Sequence, residues 1–202
     1  GTETLTFTIN DSQGRAIASD EIDVIVTPVN DAPVLTEIAS QEMEEDSVLV
    51  LVLDALDVDE DGLTFASESD TSSVVVGVDN TELTLTPAPD WNGTANIMVT
   101  VSDGFLSDSV YFALTVTPVN DSPTIDIPES VSFSEDGSLV EDFSEFVDDI
   151  DEDLLTLTVS DMVNITASID VFTVTFGAVQ DYNGTETLTF TINDSQGRAI
   201  AS

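Results

Sequence analysis

Thr2 to Ile9 follows a period of two, with Leu5, Phe7 and Ile9 on one side behind Glu3 and threonines on the other. That period of two predicts a strand with one buried face. Asn10–Gly14 reads as a turn and Ile22–Val26 as a second strand. Seven further runs of strand type follow, near Val34–Ile38, Val48–Leu53, Leu63–Ala66, Val74–Val78, Glu82–Thr86, Ala95–Ser102 and Val110–Thr117, separated by Asp, Asn, Gly, Ser and Pro. Val48–Leu53 is apolar throughout; its branched residues and short length predict a buried strand, not a helix. Seven short strands without a helical period predict a small β-sandwich.

The pattern repeats. Val26-Thr-Pro-Val-Asn-Asp-Ala-Pro33 returns as Val116-Thr-Pro-Val-Asn-Asp-Ser-Pro123, so Pro28 and Pro118 stand 118 − 28 = 90 residues apart. Two prolines in so short a run fix φ and remove backbone donors, which makes a stiff connector. The expected organisation is therefore residues 1–30 as the last strands of one sandwich, 31–120 as a complete sandwich, and 121–202 as another lacking its last strand. The class is all-β: tandem seven-stranded Greek-key sandwiches of immunoglobulin or cadherin type, joined end to end. A sharper repeat overlies this one, since Gly184–Ser202 is identical to Gly1–Ser19 at all 19 positions, a shift of 183 residues. The duplicated unit is thus read as a domain pair. The chain stops before the counterpart of Asp20–Val26, and that strand is expected either from a continuing chain or from another copy.

Polar positions match between the repeats better than apolar ones do. Glu135-Asp136 answers Glu45-Asp46, Asp149-Ile-Asp151-Glu-Asp153 answers Asp57-Val-Asp59-Glu-Asp61, and Asp181-Tyr-Asn-Gly answers Asp90-Trp-Asn-Gly. The acidic loops are what the repetition singles out.

Composition sharpens the point. The chain holds 41 Asp and Glu against Arg15 and Arg198, with no His and no Cys, for a net charge of −39. A hydrophobic share of 41% fills a core, so the acidity belongs to a folded protein. Like charges a few ångströms apart repel by about 1 to 4 kcal/mol per pair, depending on the local dielectric. Clustered carboxylates therefore call for a hard divalent cation, and calcium takes six to eight oxygens from carboxylates and carbonyls. Two carboxylates in Asp-x-Asp can face one ion, and an Asn-Asp turn adds carbonyls. Asp57 to Glu68 also satisfies the spacing of an EF-hand loop, but its flanks read as strands; a calcium loop inside the sandwich would give Asp61 and Asp153 a role. Lack of Cys and His leaves no thiolate site, no ordinary zinc site and no Ser-His triad. The charge disfavours nucleic acid and anionic membranes. No apolar run is long enough to span a bilayer.

These repeats resemble cadherin-like modules of bacterial tandem-repeat surface proteins, over essentially the whole chain. The resemblance implies calcium between successive sandwiches, held by one module's base, the linker and the next module's crown. It implies linker ligands Asn30 and Asp31 at the first joint and Asn120 and Asp121 at the second. It implies Glu45 as the early glutamate, with Glu135 its counterpart, and Asp90, with Asp181 its counterpart, ahead of the penultimate strand. Asp57 and Asp59, or Asp149 and Asp151, would be crown ligands, and Asp103 or Asp194 the aspartate ending the penultimate strand. Two departures stand out: prolines 28 and 118 replace an expected aspartate, and Asn92 replaces an acidic residue after Asp90. Both suggest fewer or weaker ions.

The expected function is a non-catalytic, calcium-rigidified repeat of an extracellular bacterial stalk, adhesin or filament, secreted or on the cell surface. Its expected partners are neighbouring repeats, other copies through strand exchange, and cell-surface glycans or proteins. Alternatives are a polysaccharide-binding module that stacks sugars on Trp91 and Tyr182, spacer domains of a larger secreted enzyme, and a glycosidase with paired carboxylates. Asn92, Asn164 and Asn183 lie in glycosylation-type triplets.

Overall fold

The computed structural model describes residues 1–10, 12–13, 16–196 and 199–201. The expected Asn10–Gly14 turn lies partly outside the described residues, as do Arg15 and Arg198. Two compact units emerge: Gly1–Met43 with Ser47–Ala88 and Gly93–Thr115, and Glu44–Asp46 with Pro89–Asn92 and Val116–Ser202. The acidic turns at 44–46 and 89–92 thus belong with the second unit, although the strands around them belong to the first.

The first unit opens with β1 (Thr2–Asn10) and β2 (Ala16–Ile25), paired antiparallel from Thr2↔Ile25 to Asn10↔Ala16. Alternation sorts this hairpin into two faces. Thr4 and Thr6 donate across it to Asp23 and Glu21, while Leu5 pairs with Ile22 on the apolar face. That apolar face is open, with Phe7 60% and Ile9 67% exposed.

Nine strands follow: β3 (Val34–Leu35), β4 (Gln41–Glu44), β5 (Leu49–Val52), β6 (Ala55–Leu56), β7 (Thr64–Ser69), β8 (Val74–Asp79), β9 (Glu82–Pro87), β10 (Gly93–Ser102) and β11 (Ser107–Thr117). They form sheets of order β4-β11-β10-β7 and β5-β9-β8, with a small β3-β6 pair. Ile97, Val99 and Val101 of β10, Leu114 of β11, and Leu83 and Leu85 of β9 are completely buried. Their spacing of two is the alternation that predicted the strands.

The 48–53 run corrects its expectation. It is a strand, but it lies at the edge of β5-β9-β8, and only Leu49, Leu51 and Leu53 turn inward. Val48, Val50 and Val52 are exposed, so a continuous apolar run here does not mean burial on both faces.

In the second unit the strands are β12 (Thr124–Ile125), β13 (Leu139–Asp142), β14 (Val147–Asp148), β15 (Thr156–Ser160), β16 (Ile165–Asp170), β17 (Thr173–Ala178), β18 (Thr189–Asn193) and β19 (Ala199–Ala201), with one 3-10 turn at Ser144–Phe146. Sheets of order β13-β17-β16 and β15-β18-β19 enclose Phe143, Leu157, Val174, Phe176, Phe190 and Ile192. Phe143 meets Phe176 and Phe190 edge to face at 6.3 and 5.5 Å, the arrangement that aligns ring edges with ring faces. The architecture is all-β. No helix among the described residues is long and apolar enough to cross a membrane.

Candidate metal centre

The acidic loop after β14 folds around its own first carboxylate. Asp149 Oδ1 accepts the amides of Asp151 (3.0 Å) and Asp153 (3.3 Å), and Glu152 closes the turn with φ of 59°. An aspartate that binds the backbone two residues on is a local alternative to regular structure, which is why Asp-x-Asp makes a loop here. As a result one carboxylate oxygen from each of Asp149, Asp151 and Asp153 lies within 4.8 Å of the others.

The Pro-Asn-Asp linker is stitched to that loop. The Asp121 amide donates to Asp151 Oδ2 at 2.7 Å. Asn120 Nδ2 donates both to the Asp121 carbonyl (2.8 Å) and to Asp194 Oδ2 (2.9 Å). Asp194 is 2% exposed, and its Oδ1 accepts the Gln196 amide.

Glu45, Asp46 and Asp90 complete the arrangement within the same compact unit. Glu45 is 3% exposed; its Oε1 accepts the Val119 amide at 2.7 Å and its Oε2 the Asn92 side chain at 3.4 Å. Asp46 and Asp90 both take left-handed backbone, with φ of 57° and 54°, and the Asp90 amide donates to Asp46 Oδ1 at 3.1 Å. Asp tolerates that conformation better than most residues, so these turns select it. Glu45, Asp121 and Asp151 converge to within 4.8 Å, and so do Asp46, Asp90 and Asp121. Asp121 is common to both triads.

Electrostatics follow from this crowding. Asp121 is held above the ordinary carboxylate range, first by burial and then by the negative charges of Asp90, Asp151, Asp46 and Glu45. Asp121 Oδ2 and Asp149 Oδ2 are buried and accept no hydrogen bond. A buried carboxylate oxygen without a donor, facing other carboxylates, is costly unless a cation meets it. The donor set is oxygen only, which fits a hard divalent ion and not zinc or copper.

The first joint repeats the crown half of this geometry inside the first unit. Asn30 Nδ2 donates to Asp103 Oδ2 at 2.9 Å and the Asp31 carbonyl at 3.1 Å, and the Asp31 amide donates to Asp59 Oδ2 at 2.8 Å. Asp57 Oδ1 accepts the amides of Asp59 and, at 3.5 Å, Asp61, while its Oδ2 is buried without a hydrogen-bond partner. Asp103 sits below the ordinary range, first because of the Asn30 amide and then the Leu106 and Phe105 N–H groups that close a turn at Gly104, whose φ of 95° favours glycine. No carboxylate triad converges at this joint among the described residues. The base half recurs too: the Asp181 amide donates to Asp136 Oδ1 at 3.2 Å and Asn183 to Glu135 Oε2 at 3.5 Å, but Glu135 and Asp181 are exposed and join no triad among the described residues.

The sequence-derived candidates therefore divide. Glu45, Asp90, Asp121, Asp149, Asp151 and Asp153 come together, with Asn120 and Asp194 bracing them. Asn30, Asp31, Asp57, Asp59, Asp61 and Asp103 form a congruent crown. Asp46 was not among the candidates, although its recurrence as Asp136 was a signal for it. Asn92, read as a missing ligand, is a donor that orients Glu45.

Residues 29–117 match the family model of a cadherin-like domain, and residues 120–202 that of a bacterial Ig domain. The chain is built of bacterial cadherin-like repeat modules. Modules of this kind are structural repeats, and they point to an extracellular or cell-surface protein. No curated protein matches the sequence. Among solved structures, Drosophila N-cadherin EC1-4 superposes with a TM-score of 0.54 at 16% identity, covering 93% of this chain and 51% of that one. Human protocadherin-24 EC1-2 gives 0.49 at 16% identity, covering 81% and 86%. The endo-fucoidan hydrolase MfFcnA4 from glycoside hydrolase family 107 gives 0.39 at 19% identity; all of this chain is covered, and it spans 33% of that protein's length. The N-cadherin likeness shows that these modules share the cadherin fold.

Proposed function

We propose that these cadherin-like modules bind calcium at the acidic turns and serve as calcium-rigidified, non-catalytic repeats of an extracellular stalk, adhesin or filament. The observation that carries this reading is Asp121, whose buried Oδ2 lacks a donor in the midst of Glu45, Asp46, Asp90 and Asp151. Glu45, Asp121 and Asp151 would hold one ion, with Asp46 and Asp90 against the other side of Asp121; Asp149 and Asp153 extend the acidic loop. The ion supplies positive charge that cancels their repulsion and ties three separate stretches of chain together. At a Kd of about 0.1 mM, calcium at about 10 mM would stabilise the clamped form by about 2.7 kcal/mol per ion. That is enough to hold a swivelling connection still. Neighbouring repeats are the primary partners, and the charge of −39 disfavours nucleic acid.

Thermal melting and small-angle scattering in calcium and in chelator test the proposal together. Calcium should raise the melting temperature and narrow the distribution of shapes. Indifference of both measurements to calcium would sink it.

A further inference from the structure

Strand β5 leaves one of its edges open. Among the described residues only β9 pairs with it, from Leu49↔Leu85 to Val52↔Glu82, and the Leu53 amide extends that ladder to the Thr81 carbonyl at 2.7 Å. In an antiparallel ladder a residue turns its N–H and C=O to the same side, and successive residues alternate. Leu53 faces β9, so Leu51 and Leu49 do too. The main-chain groups of Val50 and Val52, and by the same alternation those of Val48, therefore point away from the sheet. Their side chains are exposed as well, Val52 by 80%. Thr84 and Gly77 continue the row of Val50 across the sheet, so the middle of that outer face carries no charge.

Free main-chain groups at a sheet edge template pairing with another chain, so edges are ordinarily protected by charge, proline or a bulge. The second unit has such protection. By the 90-residue repeat β5 corresponds to β13, which also lies at the edge of its sheet, and the residues that follow them, Leu53 and Phe143, are alike buried. Glu141 and Asp142 stand there in place of Leu51 and Val52. In the first unit the protection is gone: Val48–Leu53 holds no charged residue and no proline. A chain of net charge −39 repels its own copies, and an uncharged stretch is where two of them can meet.

We infer that β5 is a self-association edge whose occupant is β5 of a second copy, antiparallel to the first about a two-fold axis at Val50. Two requirements set the register. Residues directly opposite share a face, so valines must meet valines and leucines leucines, and the bonded pairs must be residues whose main-chain groups point outward. Val50 against Val50, with Val48 against Val52, meets both. Moving the axis to Leu51 would set Val48 against Asp54, whose carbonyl the Thr36 amide already takes at 2.9 Å. The order β8-β9-β5 then runs on into β5-β9-β8 of the second copy, and the half-buried Leu49 and Leu51 cover one another across the seam. Both open edges are used up, so the assembly closes as a dimer. The contact uses no side chain of the metal centre, so its failure and the failure of calcium binding are separable by working in chelator and in calcium.

The test is sedimentation of the full chain across a concentration series, in chelator and in calcium. A monomer–dimer equilibrium should emerge in both, tightening with added salt as repulsion is screened. Val50→Asp sets two carboxylates on the axis in place of two valines and should weaken the dimer about a hundredfold, tenfold per side chain. Val50→Pro removes an N–H that only the second copy uses, a change that edge strands tolerate, and should weaken it likewise. Val140→Asp, on the protected edge of β13, should leave association unchanged. Glu141→Leu with Asp142→Val strips that edge of its charge and should carry association beyond the dimer. The chain has no cysteine, so a single introduced thiol reads the register directly. Oxidation should link Val50→Cys copies much faster than Val52→Cys copies, because only position 50 lies opposite itself. A monomer at every concentration and salt, association that both Val50 variants leave intact, or faster linking through position 52 than through position 50 would overturn the proposal.

Discussion

Asn120 donates its side-chain amide to Asp194 Oδ2 at 2.9 Å while the same nitrogen reaches the Asp121 carbonyl at 2.8 Å. One neutral residue thereby fixes a buried carboxylate and the linker aspartate that both triads share. It is a support and not a charged ligand, and supports of that kind set metal affinity by holding ligands in place. Asn120→Ala should weaken calcium binding about 10- to 100-fold in a calorimetric titration. Asn30→Ala breaks the congruent contact to Asp103, but no carboxylate triad converges there among the described residues, so the tightest calcium step should be unaffected.

Asp121 carries a prediction whose sign depends on calcium. Its pKa is raised in the folded protein by burial and by Asp90, Asp151, Asp46 and Glu45. A carboxyl raised above its unfolded value contributes stability that is present below the unfolded pKa and lost as pH rises through the folded pKa. Without calcium, Asp121→Asn should therefore raise the melting temperature at neutral pH, and the gain should shrink as the wild type is acidified through the raised pKa. With calcium the order should invert, since the variant lacks the charge that both triads share. Melting curves of both proteins, in calcium and in chelator over a pH series, decide it.

The 19-residue identity allows one side chain to be compared in two settings. Phe190 is 5% exposed among Phe143, Phe176, Leu157 and Ile192, whereas Phe7, at the identical sequence position, is 60% exposed. Truncating a buried aromatic ring removes its transfer energy and leaves a cavity. Phe190→Ala should cost the second unit about 3 to 5 kcal/mol in denaturant titration. Phe7→Ala should change stability by no more than about 0.5 kcal/mol, as exposed sites do. Equal costs would mean that the hairpin is packed in solution.

The same comparison shows what the sequence made legible. Alternation located β1, β9, β10 and β11 because each carries apolar side chains at every second position; β9, β10 and β11 bury that face, whereas that of β1 is open. β4 and β6 escaped because two to four residues are too few to show a period. Val48–Leu53 misled because its outward positions are valines, and exposed apolar side chains leave no mark in the pattern. The crown and the linker were readable because Asn-Asp and Asp-x-Asp recur in both repeats. Convergence of Asp46 on Asp121 depends on left-handed backbone at Asp46 and Asp90, which composition does not announce. Asp136 and Asp181 take the same left-handed backbone, with φ of 60° each, so local geometry does not tell Glu135 and Asp181 from Glu45 and Asp90; what Glu45 and Asp90 have besides is a linker aspartate, Asp121, beside them.

Glu186 supplies a test of stability away from the metal centre. Its carboxylate accepts the amides of Val163 (2.6 Å), Asn164 (2.8 Å) and Ile165 (3.4 Å) together with the Asn164 side chain, clamping the chain where it enters β16. The Val163 N–H is the chief cause of a pKa held below the ordinary glutamate value, with the Asn164 and Ile165 groups adding to it against the effect of burial. A depressed folded pKa means stability that is present above the unfolded pKa and lost as pH falls through the folded one. Glu186→Gln keeps the shape but gives up the charge and one acceptor oxygen, so it should melt below the wild type at neutral pH. The two curves should converge as acid protonates Glu186 in the wild type. A gap that persists once the pH lies below the depressed pKa would show that the loss comes from packing and not from the charged clamp.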